Sequence, residues 1–413
     1  MLSPYRWTFK MHTPPKHPWV FKQDLTDVVR GTPPGSVVDL YNPKGKFLCK
    51  GFGNLNSQIA FRKISEDPKL VIDREWLIEN MLTAWKAREA VKYTQHSFRW
   101  IFSEADDLPG LIVDYFKAKD DTAVISFQVL TAGMEQLLGD PKMTFTKVLS
   151  ALTLNPENHL LLIKNKSSVR EKEGLMPGQN EAITLGSKII DSKKFRFLIT
   201  GQVELACNLY DGQKTGFFLD QSMNLQQTLR LLTETSETVK ILDLFCYVGQ
   251  WGTYLGRKLQ EQNKKVETCF VDASENALTW AKQNGEYYEL SPRTVKADII
   301  QKPQLIPDEL FDIVICDPPA LIKNKKDFFP GRKGYLKANR EAMKRTQKGG
   351  LLLSCSCSQP LTSQDLKGVL NEAAKNENRT LTFLGESVQG PDHPVHPHFP
   401  QGHYLKMHLV RVD

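Results

Sequence analysis

Residues 241 to 252, ILDLFCYVGQWG, constrain the fold more than any other stretch of this chain. An apolar run reaching Asp243 and breaking into Gly249 and Gly252 reads as a strand, a tight turn and the start of a helix, where backbone can approach a ligand closely. Four more runs follow in order. VETCFVD ends in Asp272, 20 residues beyond Gly252, RTVKADII carries Asp298, FDIVICDPPA contains Asp317-Pro318-Pro319, and GGLLLSCSCSQP carries Cys355 and Cys357. Runs of this kind alternating with helical stretches predict an α/β, Rossmann-like unit with a parallel sheet. Ligands of such sheets sit at the carboxyl ends of the strands, where every one of these polar residues falls, so the set predicts one pocket.

A dinucleotide would need Gly-x-Gly-x-x-Gly to rest its pyrophosphate on a helix N-terminus. Here the turn is Cys246-Tyr247-Val248-Gly249-Gln250-Trp251-Gly252, with bulky residues where the pyrophosphate would lie. S-adenosylmethionine has no phosphate, and it is the cofactor this pocket predicts. Asp243 would face its amino-acid end, Asp272 would accept from the ribose hydroxyls, and Asp298 would meet the adenine amino group.

Two prolines after Asp317 stop the strand and stiffen the turn, fixing a carboxylate at the pocket mouth. Cys355 and Cys357 lie two apart and so share one face of the neighbouring strand while it persists. Carbon-5 of a pyrimidine does not attack a methyl donor unless a thiolate first adds to carbon-6, and cysteine is the side chain suited to that task. Cys357, nearer the carboxyl end and just before Ser358-Gln359-Pro360, is the expected nucleophile, with Cys355 in reserve. Asp317 would hold the base at N3 and its amino edge. No general base for the carbon-5 proton is identifiable. The other reading is that both cysteines are small apolar residues packed in a sheet.

These residues resemble those of the 23S ribosomal RNA cytosine-C5 methyltransferases built from a PUA domain, a small central α/β domain and a class I methyltransferase domain. HPWVF (17–21), PGSVVD (34–39) and GNLNSQI within 51–59 resemble the PUA part, and EADDLPGLIVD (104–114) and REKEGL (170–175) the central part. QKTGFFLDQ (213–221) resembles the approach to the cofactor pocket, and Ser356-Cys357-Ser358 the nucleophile motif. The resemblance implies Cys357 as nucleophile. It implies a cofactor site formed by Gln221, Asp243, Phe245, Tyr247, Gly249, Asp272, Ala273, Asp298, Ile299 and Asp317. Where the family commonly has an arginine after Leu-Asp-Gln, Ser222 and Met223 stand here. Ribosomal RNA is the implied partner, and a homodimer is compatible with the resemblance.

The expected division is a PUA-like β-barrel over 1–74, a central α/β domain over 75–190 that spaces the RNA-binding module from the active site, and the methyltransferase domain over 191–413. The 413 residues suffice for such a division. In the first segment, basic residues (Lys16, Arg30, Lys44, Lys46, Lys50, Arg62, Lys63) interleave with Trp19, Phe21, Phe47, Phe52 and Phe61, which suits phosphate contact and base stacking and equally suits a barrel core. REWLIENMLTAWKAREAV (74–91) has helical spacing, and the central region reads as four strands with a helix. The formal net charge of +7 favours a polyanionic partner only weakly.

Seven widely spaced cysteines read as reduced thiols of a cytoplasmic protein, and no apolar run suggests a membrane span. MLSPYRWTFKMHTPPKHPW lacks the apolar centre of a secretory signal. Five histidines fall between His393 and His408 without a regular zinc spacing, so no metal is expected. The basic stretch 323–345 directly follows Asp317-Pro318-Pro319 and is read as a guide for the RNA backbone, with a solvated helix face as its alternative. Two competing functions remain. One is base N-methylation, for which Asp-Pro-Pro is usually followed by an aromatic residue, here Ala320; the other is an assembly factor that binds RNA without catalysis.

Overall fold

Strand-forming runs dominate residues 7–65, as their β-branched and aromatic content requires. The computed structural model describes residues 7–232 and 236–413, so the reading of MLSPYR lies outside the described residues. Two units divide the chain: Met1–Phe197 with Asn208–Leu219 and Pro391–Gly402, and Leu198–Cys207 with Asp220–Gly390 and His403–Asp413.

The first unit begins with a six-stranded sheet made of Trp7–Lys10, Trp19–Phe21, Asp27–Val28, Ser36–Tyr41, Phe47–Gly53 and Ile59–Ser65. Among the described residues, only Trp7–Lys10 and Ser36–Tyr41 pair in parallel in this sheet. Phe9, Val20, Val38, Leu40 and Phe61 fill its core. The helix Arg74–Ala90 follows, its first turn capped by Asp73 accepting from Trp76 N at 3.0 Å. A second, five-stranded sheet comprises Phe98–Phe102, Leu111–Lys117, Ala123–Val129, His159–Lys164 and Asn180–Thr184, hydrogen-bonded in chain order. Where a single helix was expected, Ala132–Leu138 and Pro141–Ala151 form two, because Gly139 ends the first and Asp140-Pro141 starts the second. Three of the family-like motifs of this unit, GNLNSQI, EADDLPGLIVD and REKEGL, converge with Arg62 on one buried ion cluster. Arg62 donates to Glu104 at 3.0 Å and to Glu173 at 2.8 Å, while Asn54 and Ser57 also donate to Glu173. Pro391–Gly402 is held in this unit through Asp392, which accepts from Arg88 Nη2 and from Arg99 N, each at 2.9 Å.

In the second unit, numbered separately here, the helices are α1 (Ser222–Leu231), α2 (Gln250–Gln260), α3 (Glu275–Tyr287), α4 (Phe328–Arg345) and α5 (Ser363–Asn376). Besides Val203–Cys207, which pairs with Phe195–Ile199 in a separate two-stranded sheet, the strands are β1 (Thr238–Leu244), β2 (Lys265–Asp272), β3 (Pro292–Lys296), β4 (Phe311–Cys316), β5 (Thr346–Ser356), β6 (Leu381–Ser387) and β7 (Lys406–Val412). Strands β1 to β7 form one sheet in the order β3-β2-β1-β4-β5-β7-β6, with β7 antiparallel between β5 and β6. The five parallel strands are those expected, and the antiparallel pair completes the sheet. Leu242, Leu244, Val271, Val314 and Leu352 are buried in its core, as strands covered on both faces require. Register aligns Asp243 with Phe270 on β2 and Ile315 on β4, and Cys316 with Ser354 on β5, so the carboxyl ends open at one edge.

Candidate active site and cofactor pocket

The turn after β1 takes an unusual path. Phe245, Tyr247 and Gly249 all have positive φ, at 61°, 50° and 79°. Two of these carry side chains that disfavour the left-handed region, a conformation retained chiefly where the surroundings enforce it. Asp272 supplies the enforcement: its Oδ2 accepts from Tyr247 N at 3.0 Å and its Oδ1 from Ser274 N at 2.8 Å. Each oxygen keeps a second lone pair for a ligand. Gly252 is fixed by packing, since a Cβ there would lie 2.6 Å from Phe270 and 3.3 Å from Asp243 Oδ2.

Asp243 is buried, and Oδ2 accepts from Gly252 N at 2.9 Å, whereas Oδ1 is buried with no hydrogen-bond partner. Burial pushes its carboxyl up to about 8, opposed by the Gly252 hydrogen bond and reinforced by Asp317 and Asp272. An orphaned buried carboxylate oxygen fits the ammonium end of S-adenosylmethionine. Asp298 is exposed and caps its own turn, Oδ1 accepting from Ile300 N and Gln301 N. Ala273 is exposed beside Asp272, whereas the Ile299 side chain is packed into the core, so any contact it makes with a ligand falls to its main chain.

At the end of β4, one oxygen of Asp317 takes two hydrogen bonds, from Gln221 Nε2 at 2.8 Å and Trp251 Nε1 at 3.1 Å. Asn224 in turn donates to Gln221 Oε1 at 2.6 Å, so α1 and α2 jointly orient the carboxylate. Sequence signals neither Trp251 nor Asn224 as a partner of this carboxylate: Trp251 stands there only as bulk excluding a pyrophosphate, and Asn224 lies in a polar stretch without signal.

The two candidate cysteines separate at the end of β5. Cys355 is fully buried, and burial raises its thiol well above the ordinary range, with Asp317 adding to the effect. Cys357 lies one residue past the strand and is the one cysteine of the seven that is not buried. The turn around it is pinned. Ser358 Oγ accepts from Ile322 N at 2.9 Å and lies 2.8 Å from Tyr335 Oη, which accepts from Ser356 Oγ at 2.9 Å. Ser358 O accepts from Lys406 Nζ at 2.6 Å and from Leu361 N at 3.1 Å. Tyr335 and Lys406 were also missed, because they lie on α4 and β7, remote in sequence.

Of the basic stretch, Arg345 and Lys344 pair with Glu341, Arg340 with Glu377 and Arg332 with Glu372, while Lys323, Lys325, Lys326, Lys333 and Lys337 are exposed. The histidines divide between the units: His393, His396 and His398 belong to the first, His403 and His408 to the second. Among the described residues no group of three or more metal-ligating side chains is arranged to hold an ion, and no helix is long and apolar enough to cross a membrane.

The sheet order, the strand-end carboxylates and the strained turn define an S-adenosylmethionine-dependent methyltransferase. Comparison with known proteins agrees: residues 15–66 match a PUA-like domain and residues 219–378 a methyltransferase small domain. The chain belongs to the ribosomal RNA large subunit methyltransferase I family, being 30% identical over 417 residues to that protein from Shigella boydii serotype 18, with 96% of each chain covered. The relative from Aeromonas hydrophila is 28% identical, again over 96% of both chains. Among solved structures, a SAM-dependent methyltransferase from Streptococcus mutans superposes with TM-score 0.72 at 17% identity, covering 97% of this chain and 99% of its own. A second methyltransferase, complexed with SAH, gives 0.71 at 18% identity, covering 96% of this chain and 95% of its own.

Proposed function

We propose that this chain methylates carbon-5 of a cytosine in large-subunit, 23S, ribosomal RNA through a covalent adduct of Cys357. The observation that carries this reading is the pinned turn holding the one accessible thiol just past β5, next to β4, which ends directly before Asp317. The names of its relatives supply the RNA class.

S-adenosylmethionine, when bound, supplies an electrophilic methyl group on a sulfonium. Asp243 would pair with its ammonium, Asp272 with its ribose and Asp298 with its adenine, with Gln221, Phe245, Tyr247, Gly249, Ala273 and Ile299 completing the pocket. Cys357 Sγ adds to carbon-6 of the base, and the electron pair released makes carbon-5 nucleophilic. Asp317, held by Gln221 and Trp251, accepts from the amino edge and stabilises the adduct. Methyl transfer leaves S-adenosylhomocysteine; a water or base then takes the carbon-5 proton, and the electron pair of that C–H bond re-forms the carbon-5–carbon-6 double bond as the bond to sulfur breaks and Cys357 leaves as thiolate. The first 74 residues would bind RNA as a PUA-like domain, residues 75–190 would space it from residues 191–413, and the exposed lysines from Lys323 to Lys337 would guide the phosphates. The enzyme acts in the cytoplasm in this reading.

The test is mass spectrometry of nucleosides from 23S RNA of a strain lacking this protein, incubated with purified enzyme and isotopically labelled S-adenosylmethionine. Label in 5-methylcytidine is the expected result. Label on a base nitrogen would remove Cys357 from the chemistry and favour Asp317-Pro318-Pro319, and no label with cofactor bound would favour an assembly factor.

A further inference from the structure

We infer that Lys406 is a positioning residue for Cys357, fixing the turn that carries the thiol and favouring its thiolate by charge. The inference rests on the reading of Cys357 as nucleophile. Lys406 begins β7 directly opposite Ser356 in the antiparallel register, and its ammonium donates at 2.6 Å to the carbonyl of Ser358. The side chain therefore spans from the residue before Cys357 to the residue after it. It is buried, 8% exposed, and its first electrostatic partner is Cys357, followed by Asp365.

Burial lowers the Lys406 ammonium to about 8, while Cys357 and Asp365 oppose that fall. The titratable groups around the turn are Asp317 after β4, Cys355 on β5, Tyr335 on α4, Asp365 on α5 and Lys406 on β7. Burial raises Tyr335 and Cys355, and Asp317 and Cys357 raise Cys355 further. Among these groups Lys406 is the cation. A buried ammonium whose neighbours are acids and thiols is held most cheaply when one of them carries the compensating negative charge.

Alkylation by iodoacetamide reads the thiolate directly, and since the other six cysteines are buried, peptide mass spectrometry can follow position 357 alone. The rate is measured from about pH 6 to about pH 10 in wild type, Lys406→Met, Lys406→Gln and Lys406→Arg, with retention of S-adenosylhomocysteine binding as the control for folding. Lys406→Gln keeps a donor for Ser358 without the charge. The expected result is a midpoint raised by roughly one pH unit or more in the Met and Gln variants and kept low in Arg. Wild-type midpoints in Met and Gln would overturn the inference, and if Met fails to fold the Gln variant alone decides. Undiminished methylation by Cys357→Ala would instead sink the nucleophile reading, whatever the alkylation profile shows.

Discussion

Arg62 and Glu173, 111 positions apart in the chain, meet at 2.8 Å inside the first unit. The guanidinium also holds Glu104, so one buried cation serves two buried carboxylates. Removing it is predicted to be worse than removing either acid. Arg62→Met leaves both carboxylates without a cation and should lower stability by about 3–5 kcal/mol. Glu173→Gln leaves a balanced Arg62–Glu104 pair and should cost about 1–3 kcal/mol. Urea unfolding followed by tryptophan fluorescence compares them, and equal losses would refute the charge argument.

Asp243 should release a proton when the cofactor binds. Its carboxyl, raised to about 8 by burial, is protonated at neutral pH, and pairing with an ammonium demands the ionised form. Calorimetry in buffers of differing ionisation enthalpy should find about one proton released at pH 7 and none well above pH 8, with no such coupling in Asp243→Asn. The sign for stability follows. A carboxyl whose folded value is raised contributes fully below its ordinary value, and that contribution is lost as pH rises through about 8, so the ligand-free protein should melt lower at pH 9 than at pH 6.

Trp251→Phe keeps an aromatic ring, though a smaller one, and removes the indole hydrogen bond to Asp317. A loss of about 0.5–1.5 kcal/mol, or roughly threefold to tenfold, is expected in kcat/KM. Because Asp317 is assigned to the base and its adduct, the loss should fall mainly on kcat. A change confined to the KM for S-adenosylmethionine would reassign Asp317 to cofactor binding alone.

The two cysteines should separate cleanly by mutation. Cys357→Ala should lower methylation by roughly a thousandfold or more while cofactor binding persists. Cys355→Ala removes a buried sulfur and should cost about 1 kcal/mol of stability, with activity within tenfold of wild type. The reverse pattern in single-turnover assays would move the nucleophile to Cys355.

Strand ends were legible because an apolar run terminating in Asp243, Asp272 or Asp317 states both where a parallel strand stops and what it presents there. Contacts that close over long separations left no local signal. Lys406 reaches Ser358 from 48 residues away, and Asn54 reaches Glu173 from 119, so neither pairing follows from periodicity. Trp251 illustrates a different limit, in that its bulk was visible but its indole donor had no identifiable acceptor until α2 was placed against the end of β4. The break between Ala132–Leu138 and Pro141–Ala151 was readable from Gly139 and Pro141, but apolar spacing through both helices masked it.

The position of β7 imposes an order on synthesis. It follows β6 in sequence but lies between β5 and β6, so β5 lacks its native edge partner until the residues from Lys406 onward have been made. A nascent chain can assemble the cofactor side of the sheet, from β3 to β5, well before that moment. The lysine that braces the Cys357 turn arrives only with β7. A polypeptide cut short before β7 would therefore capture a methyl donor while its thiol turn is still unbraced, and capacity for chemistry would come only once β7 is in place.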